Sequence, residues 1–211
     1  LNNDVLGQKN TALGRGTLGS QNFTTATDSY NVAAGYFAGL SITTGQQNTL
    51  VGGLAGDALT DADFNVAVGV SALGADTLGS QSVAIGNSAL GAQNFTTATN
   101  SLNVAVGFQA GAAVTTGIQN TLFGGQAGDA LTDADFNVAV GVAALGSDTL
   151  GSRSTALGYA ALNLQNFTTA TNAYNTAVGY FAGQAITTGI QNTLIGSLAG
   201  DALTDADSTW R

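Results

Sequence analysis

Residues 175–191 read NTAVGYFAGQAITTGIQ, and Asn192 then starts the same phrase again. With the anchor Asn175 counted as position 1, Thr176-Ala177-Val178 is a short β-prone stretch. It closes on Gly179, where a positive φ costs glycine nothing. A second short strand is expected around Ala185-Ile186-Thr187-Thr188, closing on Gly189. Two strands and two turns make one flattened coil. Asn suits the corner at position 1, because it tolerates the left-handed region and its amide can bond backbone groups. In stacked coils such asparagines can also form ladders.

The same anchor, Asn/Ser-x-Ala/Leu-apolar-Gly, starts at Asn10, Asn31, Asn48, Asn65, Ser82, Asn103, Asn120, Asn137, Ser154, Asn175 and Asn192. Spacings run 21, 17, 17 and 17, then 21 again, and sum to 72. The longer clock is independent: QNFTTAT begins at Gln21, Gln93 and Gln165, and DALTDADFNVAVGV at 57–70 recurs at 129–142. Each 72-residue unit is thus four short turns, one lengthened by the QNFTTAT insert. A turn this short cannot bury an apolar face alone and needs neighbours above and below, which is the logic of a solenoid. Helical repeats are excluded by length, since they take about 33–47 residues. The expected fold is all-β, a parallel β-solenoid of 17/17/17/21-residue coils, with residues 1–211 forming one repetitive element. Twelve or so coils at about 4.8 Å each would span roughly 55–60 Å.

Composition agrees. Charged residues are 8% and apolar residues 44%, with 30 Gly and no Pro, Met, Cys or His. That is too apolar for disorder, yet no apolar run approaches the ~18 residues of a membrane helix. Helix formers other than Ala and Leu are scarce, whereas Thr, Val and Gly abound. Without cysteine there is no disulfide, zinc–thiolate site or thiol chemistry. The net charge of −9 argues against a nucleic-acid backbone as partner. Leu1 aligns with Leu73 in mid-turn, and Ser208-Thr-Trp-Arg211 stands where Phe64-Asn-Val-Ala stood. Neither end reads as a cap, so a segment of a longer fibre is expected.

The fourth position is apolar in every turn: Leu13, Ala34, Val51, Val68, Ile85, Val106, Phe123, Val140, Leu157, Val178 and Ile195. The third is Ala or Leu throughout. Adjacent strand residues face opposite ways, so both faces of this strand are apolar and both call for burial. One fills the coil interior. The other needs a surface outside the coil, which predicts an oligomer whose solenoids meet along an Ala-lined seam, with three chains as the natural closed arrangement. The eighth position is also small, Ala from Ala38 to Ala199 in ten of eleven turns, with Thr17 the exception.

These residues carry a resemblance. NTAVGYFAG–TTG–QNTLIGSLAG resembles the Asn-Thr-Ala-x-Gly-x-x-Ala repeats of bacteriophage tail-fibre shafts, and Ser82-Val-Ala-Ile-Gly86 is similar to the Asn-Ser-x-Ala-Ile-Gly repeats of trimeric autotransporter adhesin heads. It covers essentially the whole chain. Coils of 17 and 21 residues are longer than the adhesin pattern and favour the phage comparison. The resemblance implies a homotrimeric, left-handed parallel β-roll or β-helix in an extracellular virion tail fibre. Its partners would be itself, other fibre or tail proteins, and a host receptor or glycan. The alternatives are a bacterial cell-surface adhesin or extracellular filament, and, from another class, a monomeric ice- or glycan-binding solenoid.

Candidate chemistry is sparse. Nine Asp fall in DALTDAD, at Asp57, Asp61, Asp63, Asp129, Asp133, Asp135, Asp201, Asp205 and Asp207. Oxygen ligands at alternate positions, as in Asp61-x-Asp63-x-Asn65, suit Ca²⁺, but the EF-hand glycine and distal Glu are missing. A solvated corner that keeps the chain soluble is the simpler reading. Thr occupies the thirteenth position of all eight complete 17-residue turns (Thr43, Thr60, Thr77, Thr115, Thr132, Thr149, Thr187, Thr204). Such a column could face ice, or simply reflect β-propensity and coil-to-coil hydroxyl bonding. Tyr36-Phe37, Phe108 and Tyr180-Phe181 could contact sugar, though packing in a core or seam is the commoner role. Without His, Cys or Glu, general acid–base and nucleophilic catalysis have little to work with. Paired Asp could hydrolyse glycans in principle, but repeats of one Asp pattern suit architecture better. No catalytic, metal or cofactor residue is expected, and the chain is read as a structural protein rather than an enzyme.

Overall fold

The computed structural model describes residue 4 and residues 6–208. Leu1 and residues 209–211, read above as cut ends, lie outside the described residues. The chain forms two compact units, residues 1–103 and 104–211. Each is an all-β parallel solenoid, and there is no helix among the described residues.

The first unit contains β1 (Gly7–Gln8), β2 (Thr11–Leu13), β3 (Thr27–Asp28), β4 (Val32–Ala34), β5 (Thr49–Val51), β6 (Val66–Val68), β7 (Gly79–Ser80), β8 (Val83–Ile85) and β9 (Thr99–Asn100). The anchor strands stack in the order β2-β4-β5-β6-β8. Every pairing is parallel and in step, as in Thr11↔Val32, Val32↔Thr49 and Thr49↔Val66. The second unit contains β10 (Val104–Val106), β11 (Thr121–Phe123), β12 (Val138–Val140), β13 (Gly151–Ser152), β14 (Thr155–Leu157), β15 (Thr171–Asn172), β16 (Thr176–Val178) and β17 (Thr193–Ile195). Its anchor strands stack as β10-β11-β12-β14-β16-β17. The lengthened coils add two-residue pairs beside the main sheets: β1 with β3, β7 with β9, and β13 with β15.

Three-residue strands are shorter than the usual five or six, and glycine stops them. Gly52 has φ 139 and Gly124 φ 135. A Cβ on Gly52 would lie 2.4 Å from the Gly69 carbonyl oxygen, and one on Gly124 2.5 Å from that of Gly141. The fifth position therefore needs glycine twice over, for its backbone angle and for the next coil's approach. Other corners use side-chain-bearing residues in the left-handed region. The residue before the anchor does so (Gln47 φ 56, Gln191 φ 59), and so does the seventh position (Phe37 φ 57, Phe181 φ 54). The anchor Asn itself does not, which corrects the corner reading. Each such residue costs on the order of 1 kcal/mol, offset by stacking on both sides.

The second strand expected at Ala185–Thr188 is not formed. That side of the coil keeps single contacts instead, such as Thr43 N–H to Thr60 C=O at 2.9 Å and Thr187 N–H to Thr204 C=O at 2.9 Å. Bends at Thr43-Thr44 and Thr187-Thr188 leave too few extended residues for a ladder.

The anchor asparagines do form the ladder, and they do more. Asn48 Oδ1 accepts the Asn65 backbone N–H at 3.0 Å, while Asn48 Nδ2 donates across its own coil to the Ala62 carbonyl at 2.8 Å. Asn137 repeats this on the Ser154 N–H (2.9 Å) and the Gly151 carbonyl (2.9 Å). Stacking one coil on the next and tying its two walls together requires a donor and an acceptor on one short side chain, which an amide supplies.

The interior is lined by the third and eighth positions: Ala33, Leu50, Ala67 and Ala84, then Ala38, Ala55, Ala72 and Ala89, all fully buried. This corrects the expected seam. The alanines face inward, in a column they share with Leu50, Leu122 and Leu194, and cannot line a contact between solenoids. Volume is traded between positions in some coils. Leu50 and Leu59 accompany Gly56, whereas Ala67 accompanies Leu73; a Cβ on Gly56 would meet methyls of both leucines at 2.8 Å.

Candidate interaction surface

With alanine turned inward, the second and fourth strand positions point out. In the first unit Val51 is 39 % exposed, with Val32 and Ile85 on the same face; in the second, Val140 is 39 % exposed, with Phe123 and Ile195 on the same face. Past the glycine, the sixth position adds Tyr36 (50 %) and Val70 in the first unit, and Phe108, Val142, Tyr159 and Tyr180 (52 %) in the second. A parallel sheet ordinarily has both faces covered. Here each unit leaves one side of its parallel sheet apolar and open, and exposed patches of this kind mark interaction sites.

Tyr36, Phe108 and Tyr180 on this surface are not in the coil's own core, which leaves a seam as the packing role open to them. Tyr36 stacks on Phe37 with ring centroids 4.1 Å apart, and Tyr159 on Tyr180 at 5.6 Å. Tyr36 and Phe37 are neighbours in one coil, whereas Tyr159 and Tyr180 stack between consecutive coils. The described cations lie over such rings: Lys9 is 5.0 Å from the Tyr30 centroid, Arg15 5.6 Å from Phe37 and Arg153 4.5 Å from Phe136. Lys9 also pairs with Asp28 at 2.7 Å and donates to the Tyr30 hydroxyl at 2.9 Å. These two hydrogen bonds hold its ammonium above the ordinary lysine value.

The acidic corners are occupied by the stack. Asp63 Oδ1 accepts the Gln46 N–H at 2.7 Å, Asp135 that of Ile118 at 2.8 Å and Asp207 that of Ile190 at 2.8 Å. Asp61 accepts from the Thr44 hydroxyl, Asp133 from Thr116 at 2.6 Å, and Asp205 from Thr187 at 2.7 Å and Thr188 at 3.0 Å. Burial raises the carboxyls of Asp57, Asp63 and Asp129 above their ordinary value; at Asp63 the Gln46 N–H opposes this and Asp61 adds to it. Asp201 is exposed. Among the described residues no group of three acidic or other metal-ligating side chains converges, and there is no pocket. Six of the nine, Asp61, Asp63, Asp133, Asp135, Asp205 and Asp207, act as coil-to-coil clasps.

The threonine column resolves similarly. Thr43 and Thr60 donate their hydroxyls to the carbonyls of Thr60 (3.2 Å) and Thr77 (3.0 Å), and Thr115 and Thr132 to those of Thr132 (3.2 Å) and Thr149 (3.0 Å). Thr77 and Thr149 reach the carbonyls of Phe95 and Phe167, both at 2.8 Å. These six hydroxyls each donate to a carbonyl of the next coil.

Sequence reasoning passed over one feature. Asp76, Gln93, Asp148 and Gln165 occupy the twelfth position, where other coils carry Ile42, Leu59, Val114 or Leu131, and all eight are fully buried. The signal was the switch from apolar to polar in one column, legible once the coils are aligned. No family model matches the chain, nor does any curated protein or solved structure. No helix among the described residues is long and apolar enough to cross a membrane.

Proposed function

We propose that the chain is a rigid shaft segment of a bacteriophage tail fibre, working as a homotrimer whose members pack their apolar sheet faces against one another. The observation that carries this is the open face of Val51, Ile85, Tyr36 and Val70 in one unit, and of Phe123, Val140 and Tyr180 in the other. Three copies around an axis would close that surface. The role is mechanical. Parallel ladders, asparagine clasps and a dry interior resist bending, and the shaft holds host-recognition elements and fibre or tail partners at fixed spacing. In this reading the chain has no catalytic role and its place is the extracellular virion. A bacterial surface adhesin or filament would use the same architecture, and antibody labelling of virions against cell surfaces separates the two.

The test is solution mass by light scattering after size exclusion, with and without calcium. A stable species at three times the 20.8 kDa of one chain is expected, unchanged by calcium. A monodisperse monomer overturns the reading. It would bring forward a monomeric glycan-binding solenoid, for which half-exposed Tyr36, Tyr159 and Tyr180 are the favouring observation.

A further inference from the structure

Most of the interior cannot tell one coil from the next. In the first unit the anchor column holds Asn31, Asn48, Asn65 and Ser82, the third position Ala or Leu, and the fifth always Gly. A coil stacked one place out of step would still set Asn near Asn or Ser and glycine on glycine. Only the loop entropy of the coil pushed out would oppose it, and that grows slowly with length.

The twelfth position is different. Asp76 and Gln93 lie in consecutive coils, as do Asp148 and Gln165, and Asp4 and Gln21. Gln93 Nε2 donates to Asp76 Oδ2 at 2.5 Å, and Gln165 Nε2 to Asp148 Oδ2 at 2.5 Å; Gln21 Nε2 makes the same bond to Asp4. Asp76 Oδ1 accepts the N–H of Gly79 and of Phe95, both at 3.0 Å, and Asp148 Oδ1 those of Gly151 and Phe167, both at 3.0 Å. On the other side, Gln93 Oε1 accepts from Asn103 Nδ2 at 2.9 Å and Gln165 Oε1 from Asn175 Nδ2 at 2.8 Å. Both fully buried carboxylates are satisfied without a cation, but only when the Asp coil sits directly against the Gln coil. Nearby partners vary between copies, Ser101 against Ala173 for example, while the Asp–Gln pair is present in all three.

We propose that each Asp–Gln pair is the register key of the solenoid. It dictates which coil stacks on which, and so the level at which the lengthened coil and its exposed Thr96-Thr97-Ala98 tip emerge. A slip by one coil buries a carboxylate without its amide or an amide without its acceptor, among the costliest faults an interior can hold. Registry is also the best-attested use of buried polar groups. The inference does not depend on the shaft reading.

The chain has no cysteine, so introduced pairs report register cleanly. Val51 and Val68 are direct neighbours, and Val68 and Ile85 are the next such pair. Val51 and Ile85 thus stand two coils apart, roughly 9.6 Å, beyond the ~7 Å limit for a disulfide. Looping out the coil between them would bring them together. Chains carrying Val51→Cys with Val68→Cys, or Val51→Cys with Ile85→Cys, are refolded from denaturant and oxidised, and intrachain bridges are scored on non-reducing gels. With Asp76 and Gln93 intact, the 51–68 bridge should dominate and the 51–85 bridge stay at background. In Asp76→Leu/Gln93→Leu, which removes the buried carboxylate and amide together and leaves the Gly79 and Phe95 N–H groups without that acceptor, the 51–85 bridge should rise several-fold. Background yield in that folded variant overturns the proposal. Should it not fold, Asp76→Asn serves instead: it keeps the size, but every amide orientation leaves one donor facing another. The 51–85 bridge must rise there too, and an unchanged yield is equally fatal.

Discussion

At the scale of single residues, the stack leaves little room for substitution at positions that look unremarkable in sequence. Gly52→Ala puts a methyl 2.4 Å from a backbone oxygen at φ 139, and neither atom can move aside. The expected loss is about 3 kcal/mol or more, from backbone strain plus overpacking, read as a lower denaturant midpoint at unchanged slope. Asn48→Leu keeps the volume but strands the Asn65 N–H and the Ala62 carbonyl inside. About 3 kcal/mol is again expected, and Asn48→Ser should recover only the part carried by one short hydroxyl. The carboxylates give a pH signature with two opposing parts. Asp57 and Asp129 are raised by burial, so while ionised they weaken the fold, and that cost lifts as pH falls through their folded values. Asp4 goes the other way: burial pushes it up, but the Gln21 amide and the N–H groups of Gly7, Phe23 and Leu6 outweigh this and leave it lowered. Its support is present above the unfolded carboxylate value and fades as pH falls through its folded value. Thermal midpoints should therefore rise on mild acidification and then drop. Asp57→Asn/Asp129→Asn should shrink the rise to the part that Asp63 carries and leave the drop.

At the scale of the coil, the repeat, the glycine stop and the asparagine ladder were all legible, because each follows from what one residue type alone can do. Gly179 sits at φ 140 as its place after Thr176-Ala177-Val178 demanded. Which face of that strand turns inward was not legible. Ala177 and Val178 are both apolar, so hydrophobicity could not decide between them. The decision lies in how the coil closes on itself, a tertiary matter: the inward column holds Ala177 beside Leu194, both fully buried. Ala185–Thr188 misled for a related reason: its β-propensity is real, but the bend at Thr187-Thr188 within it leaves only single hydrogen bonds. Asp76 was passed over because acidic residues were sought in clusters, and its partner Gln93 lies 17 residues away. The outward parity has its own test. Val51→Lys with Val140→Lys should leave circular dichroism unchanged, since both side chains are half exposed, and should reduce the solution mass to that of one chain. Ala67→Lys, aimed into the fully buried column, should abolish folding.

Across the whole molecule, the absence of His, Cys and Glu leaves no side chain that titrates between the carboxylates and the tyrosines. Stability should be flat from about pH 6 to about pH 9, and a midpoint drifting within that window would contradict this account of its charges. Solubility should fall toward the sequence isoelectric point near 4.1, where the aspartates that carry the surface charge are neutralised.

The sixth position of the coil has a wider consequence. In the first unit it holds Arg15, Tyr36, Gly53, Val70 and Asn87 in succession: a cation, an aromatic ring, no side chain, a branched alkyl and an amide. The backbone beneath follows one pattern, because glycine contacts and inward hydrogen bonds dictate it and the outward side chain has no vote. Structure and surface text are thus written in separate alphabets. Chemistry can be rewritten one letter at a time, at a pitch of about 4.8 Å, on a scaffold that does not need to be redesigned for the new message.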